Sequence, residues 1–145
     1  MSRPAQNFEN HARMVPLYHY GITLLVLAVF GWTVYRLITD FHMDRVAELL
    51  IVVSLFLTAL YARLFPLGVQ DRVIRLEERL RMHEVLPEEL RPRIAEFTTS
   101  QLIGLRFASD GELPGLARWV LEEGVTDRTA IKKAVREWRA DHQRI

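Results

Sequence analysis

The residues best suited to chemistry in this sequence are its five histidines. His19 stands out because it lies in an uncharged apolar segment, where an imidazole can ligate haem iron or the magnesium of a chlorophyll. A bis-histidine haem would need a second histidine in the other apolar segment, which has none. The alternative for His19 is an interfacial imidazole that bonds to water or to a backbone carbonyl. No two histidines have the spacing of a metal-ligand pair. The other four are His11, His42, His83 and His142.

No catalytic motif accompanies the histidines. The sequence has no cysteine, which excludes a thiolate nucleophile and a disulfide framework. It also lacks a glycine-rich phosphate loop, a His-Glu-x-x-His motif and a nucleophile elbow. We therefore predict that the protein is not an enzyme and has no catalytic residues, metal, cofactor or small-molecule substrate. His19 is the one candidate for contact with a cofactor.

Arg63 is the charged residue whose position most needs an explanation, because it interrupts an apolar segment. An arginine near a membrane is costly unless its guanidinium reaches water, a phosphate or a carboxylate. It could snorkel to a lipid phosphate, or it could pair with another subunit. Ser54 and Thr58 could hydrogen-bond across helices. Neither makes a transport pathway, which normally shows intramembrane ionisable groups or broken helices.

Two apolar segments position these side chains. Met14 to Tyr35 contains no charged residue, and a second apolar stretch runs from about Val46 to Val69. A transmembrane helix needs about 20 residues. No small-residue cleavage site follows the first segment, so we predict a retained span and not a signal peptide. The alternative, a buried core helix in a soluble protein, would leave a very large apolar surface uncovered.

The distribution of arginines predicts the orientation of the spans. The short connection carries Arg36 and Arg45, whereas the other side is richer in positive charge, which places both termini in the cytoplasm. The arginines on that side are Arg3, Arg13, Arg63, Arg72, Arg75, Arg79 and Arg81. We predict an arm at 1–13, a hairpin at 14–69 with spans at about 14–36 and 46–67, and a tail at 70–145. The fold class is all-α, a two-helix transmembrane hairpin followed by a tail of several short amphipathic helices.

The tail begins with an apolar stripe. Val69, Val73, Leu76 and Leu80 follow a 4-3-4 spacing, which places them on one narrow side of a helix. Because Pro66 and Gly68 precede the stripe, we predict a new helix there, which runs along the membrane surface or pairs with a partner helix.

Capping patterns predict the shorter helices that follow. Thr98-x-x-Gln101 and Ser109-x-x-Glu112 both fit the capping box, and Thr126 precedes another helix, with Gly124 at the end of the one before. In the last helix, Ile131, Ala134, Val135 and Trp138 are expected to share a face. Trp119 falls off the apolar face of its helix. It could anchor a partner or sit among lipid headgroups, or it could pack under a neighbouring helix.

The charges of the tail do not indicate a nucleic-acid partner. The formal net charge of the chain is +1, and a nucleic-acid binder usually has a net basic footprint. Two basic stretches flank an acidic one, which favours solvated helix faces with internal pairing, or basic ends that face anionic lipid. The first stretch is Arg72, Arg75, Arg79 and Arg81, and the second is Arg128, Lys132, Lys133, Arg136, Arg139 and Arg144.

Five segments resemble a bacterial family of small two-span membrane proteins. They are Gln6–Tyr20, Tyr61–Arg63, Gln70–Arg81, Leu105–Asp110 and Asp127–Lys132. That family is catalogued as a domain of unknown function, and some members carry an automatic transporter-permease label. The resemblance implies a protein of the bacterial inner membrane, and it implies no activity.

Three functions remain open on this basis. The leading hypothesis is a non-catalytic accessory subunit of a larger bacterial membrane complex, photosynthetic or respiratory, whose partners are other membrane subunits and anionic lipid. The contact candidates are Arg63, Trp119, Trp138, Val69, Val73, Leu76, Leu80, Arg72, Arg75 and Arg79. The second hypothesis is a homo-oligomeric transporter or channel that assembles through the stripe. The third is a membrane-anchored domain that recruits a cytosolic protein.

Overall fold

The computed structural model describes residues 6–10 and 15–141, and these residues are predominantly helical. These residues contain no β-strand, only an isolated antiparallel bridge between Ala108 and Trp138. The all-α prediction is confirmed. Several residues invoked above lie outside the described residues: Arg3, His11, Arg13, His142 and Arg144.

The chain divides into two compact units. One comprises Met14–Pro66, and the other combines Met1–Arg13 with Leu67–Ile145. In the second unit, the Gln6 side chain forms two hydrogen bonds with the backbone of Asp141, of 2.7 and 3.3 Å.

The Met14–Pro66 unit contains one long apolar helical segment and the first part of a second. A π-helical turn at Leu17–Ile22 leads into α1 (Thr23–Thr39), and the long helix α2 (Met43–Val85) begins after a short turn. Leu17–Thr39 and α2 are long and apolar enough to cross a membrane, and only 6% of the most apolar part of each is buried. The core helix of a soluble protein would be mostly buried, so the structure disfavours that alternative.

Specific polar contacts link these two segments. Near the start of the first, the Tyr18 hydroxyl donates a 2.7 Å hydrogen bond to the Ala59 carbonyl oxygen on α2. Near the turn, Glu48 lies 2.8 Å from the Arg45 guanidinium and 3.4 Å from that of Arg36. Asp40 also pairs with Arg45, at 3.6 Å. Glu48 is thus satisfied within the turn region, as its spacing from Arg45 indicates.

The prediction of a separate helix after Pro66 and Gly68 is wrong. Helix α2 continues through both residues to Val85. A proline removes one backbone hydrogen bond and crowds the preceding turn, but it does not oblige the helix to stop. Good helix formers follow, because residues 70–81 are rich in Arg, Leu and Glu. The first helix of the tail is therefore the continuation of the second apolar segment.

Four short helical elements complete the second unit. They are a 3₁₀ helix (Arg91–Glu96), α3 (Thr99–Leu105), α4 (Leu113–Glu122) and α5 (Arg128–Ala134). Their apolar faces enclose one core with Met82 and Leu86 from the end of the long helix. The largest fully buried side chain of the described residues is that of Phe107.

The caps explain where these helices begin and end. The predicted capping box of Thr98 and Gln101 is confirmed, and Gly124 follows α4 with a positive φ of 63°. Helix α5 is capped by Asp127, one residue after the predicted Thr126. The second predicted capping box is wrong. Ser109 accepts from the Glu112 N–H at 3.2 Å, but the Glu112 carboxylate binds the N–H groups of residues 136 and 137 instead.

The last predicted helical face is also corrected. Helix α5 ends at Ala134, and Val135 is extended, so Trp138 lies beyond the helix. Backbone hydrogen bonds from Ser109 N–H to the Glu137 oxygen and from Arg139 N–H to the Phe107 oxygen hold this segment in place. These bonds and the Glu112 carboxylate satisfy the backbone in an extended form, which competes with helix.

Candidate functional site

The imidazole of His19 is engaged locally. It lies in the π-helical turn, and its Nδ1 is 2.9 Å from the Val15 carbonyl oxygen and 3.2 Å from the Val15 nitrogen. Its ring meets that of Tyr18 edge-on at 5.5 Å. Residues 6–10 and 15–141 contain no group of three or more metal-binding side chains. The geometry favours the alternative in which the imidazole bonds to a backbone carbonyl.

Arg63 borders an apolar groove in the Met14–Pro66 unit. The groove has a volume of about 200 Å³, and its lining includes Tyr18, Val26, Phe56 and Leu60. Among the described residues, Arg63 has no hydrogen-bond or ion-pair partner. Arg63 is half-buried as a residue, and its guanidinium can bind a phosphate or a carboxylate outside the described residues.

The stripe is an exposed apolar surface on α2. Val69, Val73, Leu76 and Leu80 are 61, 47, 62 and 59% exposed. All four point to the same side of the helix, since their positions at 100° per residue fall within roughly 60° of arc. We call these four side chains the stripe. Nothing in the described part of the second unit covers them.

The opposite side of the same helix is covered. Ile74, Glu78 and Met82 are 6, 4 and 0% exposed, and Met82 belongs to the core formed with the short helices. Their mean direction lies roughly 170° from that of the stripe. One side of α2 is thus buried, whereas the stripe on the opposite side is exposed.

The buried carboxylate of Glu78 forms ion pairs on the covered side of α2. The Glu78 carboxylate lies 3.0 Å from Arg81 Nη1 and 3.3 Å from Arg139 Nη1. Arg81 also binds the Asp110 carboxylate at 2.6 Å and donates to the Ala108 carbonyl oxygen at 2.7 Å. A carboxylate buried this deeply is held by such partners. Glu78 was not anticipated from the sequence, where it is one of many charges in the segment.

The predicted contact tryptophans both pack against the core of the second unit. Trp119 is half-buried there, and its indole N–H donates a 2.8 Å hydrogen bond to Glu123. Trp138 stacks on Phe107 with ring centroids 4.8 Å apart, and its N–H donates to the Val135 carbonyl oxygen at 3.1 Å. For Trp119 the structure favours packing under its neighbours over outward anchoring.

The arginines that were predicted as contact residues differ from one another in exposure and position. Arg72 and Arg75 are exposed, and Arg79 is half-buried with a buried Nε that has no hydrogen-bond partner. Arg72 and Arg79 line one flank of the stripe. Arg63 belongs to the other unit. The stripe is thus an exposed apolar surface with arginine side chains along one edge.

Neither the curated proteins nor the solved structures contain a match to this chain. A family model matches residues 1–145, and its description is a family of unknown function. This match covers all five segments that carried the resemblance. The chain therefore belongs to the family of unknown function DUF6526.

Proposed function

We propose that this protein is a non-catalytic structural subunit of a larger bacterial membrane complex. Its two apolar segments form a transmembrane hairpin in the cytoplasmic membrane, with both termini and the short helices on the cytoplasmic side. It stabilises the complex by burying part of its surface against the other subunits. The host that suits a small hairpin with a helical tail is an energy-transducing assembly, photosynthetic or respiratory.

Polar contacts at both ends of the apolar segments support the hairpin. Tyr18 bonds to Ala59 at one end, and Arg36 and Glu48 pair at the other. The orientation follows from the excess of arginine on the side of the termini. On that side, Arg63 and the exposed Arg75 are suited to anionic headgroups.

The single observation that carries the proposal is the exposed stripe. Burying a valine or leucine side chain completely is worth about 1.5–3 kcal/mol, so covering four half-exposed ones would stabilise a complex by several kcal/mol. A row of apolar side chains at helical spacing is the surface that a partner helix recognises. Exposed apolar patches of this kind mark interaction sites.

The test is the native size of the chain when one stripe residue is changed. Membranes that contain the tagged chain are solubilised in mild detergent, and its migration is compared with that of Leu76→Lys and of the control Arg75→Lys. Both variants introduce lysine on exposed, adjacent positions. We expect the wild type and the control to migrate far above 16.9 kDa, and Leu76→Lys to migrate lower. Identical migration of all three would remove the support that the stripe gives.

A further inference from the structure

We infer that the stripe binds the stripe of a second copy of this chain, as a short parallel coiled coil. This inference rests on the proposed function, in which the stripe is a protein interface, and it names the partner. The protein would then enter its complex as a dimer.

The register of the stripe is that of a coiled-coil seam. With Val69 and Leu76 at d positions, Val73 and Leu80 fall at a positions. The a and d positions of a heptad supply the knobs that pack between two helices. All four lie on one uninterrupted helix and are exposed, so no rearrangement is needed before a partner can dock.

The charges beside the seam identify the partner as a second copy. In this register Arg72 and Arg79 occupy g positions, while Glu77 and Glu84 occupy e positions. In a parallel pair, a g residue faces the e residue five positions later on the other helix. Arg72 would therefore face Glu77 of the second copy, and Arg79 would face its Glu84. Two-fold symmetry doubles each pair, so every charged e and g position meets an opposite charge.

These four side chains are available for such pairing. None of them forms an ion pair within residues 6–10 and 15–141. Arg72, Glu77 and Glu84 are exposed, and the Nε atom of Arg79 is buried without a hydrogen-bond partner. The buried side of the helix does not compete for the seam, because the buried Ile74 occupies a b position on the far side.

Membrane insertion supplies the parallel arrangement. Two copies inserted in the same orientation present their α2 helices side by side, in the same direction and at the same depth. The seam is less than two heptads long, which is marginal for free helices. Anchoring both copies in one membrane raises their effective concentration and makes a short seam sufficient.

Disulfide formation tests the pairing, because the natural chain has no cysteine. Single variants Val73→Cys and Leu80→Cys are oxidised in native membranes, with Arg75→Cys as the control at an exposed c position. Disulfides require Cα atoms about 4.4–6.8 Å apart, which symmetric a positions can approach and c positions cannot. We expect a disulfide-linked dimer from both seam variants and none from the control. Cross-linking at both positions also requires a parallel pair. In an antiparallel pair, a residue can meet the same residue of the other copy at only one position along the helix.

A charge exchange provides the second readout. Arg72→Glu with Arg79→Glu, in the Val73→Cys chain, should lower the cross-linked fraction to that of the control, because like charges then face each other. Adding Glu77→Arg and Glu84→Arg should restore it. The inference is overturned if neither seam variant cross-links above the control. If the wild type then still migrates in a large complex, the stripe has a different partner and the proposed function still holds. If the wild type migrates as a monomer, both the dimer inference and the proposed function are wrong.

Discussion

Ile74 and Leu76 lie two residues apart on α2 and meet opposite environments: Ile74 is 6% exposed, whereas Leu76 is 62% exposed. Two positions rotate a helix by about 200°, so the two side chains point away from each other. One face of this helix is therefore buried within the second unit, and the opposite face is exposed. This division of α2 underlies both proposals.

The first prediction separates these two faces. Ile74→Ala should lower the free energy of unfolding by about 2–4 kcal/mol, as expected for truncating a buried isoleucine. Leu76→Ala should change it by less than about 0.5 kcal/mol, as at an exposed site, while weakening assembly. The measurement is denaturant unfolding of the detergent-solubilised chain, followed by the fluorescence of Trp119 and Trp138 in a Trp32→Phe background. Equal losses in both variants would mean that the stripe is part of the core.

The close packing of α3 on α5 depends on Gly104. A Cβ at this position would lie 2.8 Å from Cγ2 and 2.9 Å from Cβ of Ile131. Gly104→Ala should therefore destabilise the second unit by about 1–3 kcal/mol through overpacking. Gly115→Ala is the matched control, since nothing lies within 4 Å of a Cβ there, and it should be stabilising because alanine favours a helix interior. If the unfolding curves of both variants shift in the same direction, the close packing of α3 on α5 at Gly104 would be contradicted.

The Glu78 carboxylate should be structurally important. Glu78→Ala removes the shared partner of Arg81 and Arg139. Because Arg81 keeps its bonds to Asp110 and Ala108, we expect a loss of about 1.5–3 kcal/mol, the value for hydrogen bonds to charged groups. The control is Glu88→Ala at an exposed position, where we expect a change below about 0.5 kcal/mol. The unfolding midpoints of the two variants are compared with that of the wild type. A small effect of Glu78→Ala would show that the ion pairs contribute little to stability.

The cap of α5 predicts a pH dependence. Hydrogen bonds from the backbone N–H of Thr129, and then from that of Ala130, hold the pKa of the Asp127 carboxyl below its ordinary value. Because the folded-state pKa is below the unfolded one, the carboxylate stabilises the fold above the unfolded pKa, and this stabilisation is lost as the pH falls through the folded pKa. Asp127→Asn keeps a capping oxygen but does not titrate. The thermal midpoint of the wild type should therefore fall more steeply with acidification than that of Asp127→Asn, and parallel profiles would argue against this cap.

The stability of the contact between the two apolar segments should depend on the Tyr18 hydroxyl. Tyr18→Phe removes the hydroxyl that donates to the Ala59 carbonyl oxygen, and interhelical hydrogen bonds in membranes are worth about 0.6 kcal/mol on average. Tyr20→Phe serves as the control, because Tyr20 is 59% exposed. Thermal unfolding in detergent should show a lower midpoint for Tyr18→Phe only. An equal response from both tyrosines would mean that the hydroxyl of Tyr18 has no special role.

Local patterns in the sequence predicted local structure well. The uncharged run before Tyr35 and the capping box at Thr98 and Gln101 are short-range signals, and both correspond to the observed helices. The 4-3-4 spacing correctly placed Val69 and Leu80 on one side of a helix, because helical periodicity is independent of what covers that side.

Long-range contacts account for what the sequence did not predict. Glu78 meets Arg139 across 61 residues, and no spacing rule connects such positions. The extended path to Trp138 depends on the Glu112 carboxylate, which captures a backbone that propensity would continue as helix. Pro66 predicts a helix end, but helix formers follow it and outweigh the single lost hydrogen bond, so the helix continues.

The most direct test of the central claim is the molar mass and composition of the native assembly of the full chain. The tagged wild type is extracted from membranes in mild detergent, and its protein mass is measured by light scattering with identification of every chain present. The structural role predicts a discrete assembly in which two copies of this 16.9 kDa chain accompany other membrane subunits in fixed ratio. A single homogeneous species of one copy, with no other chain, would contradict it.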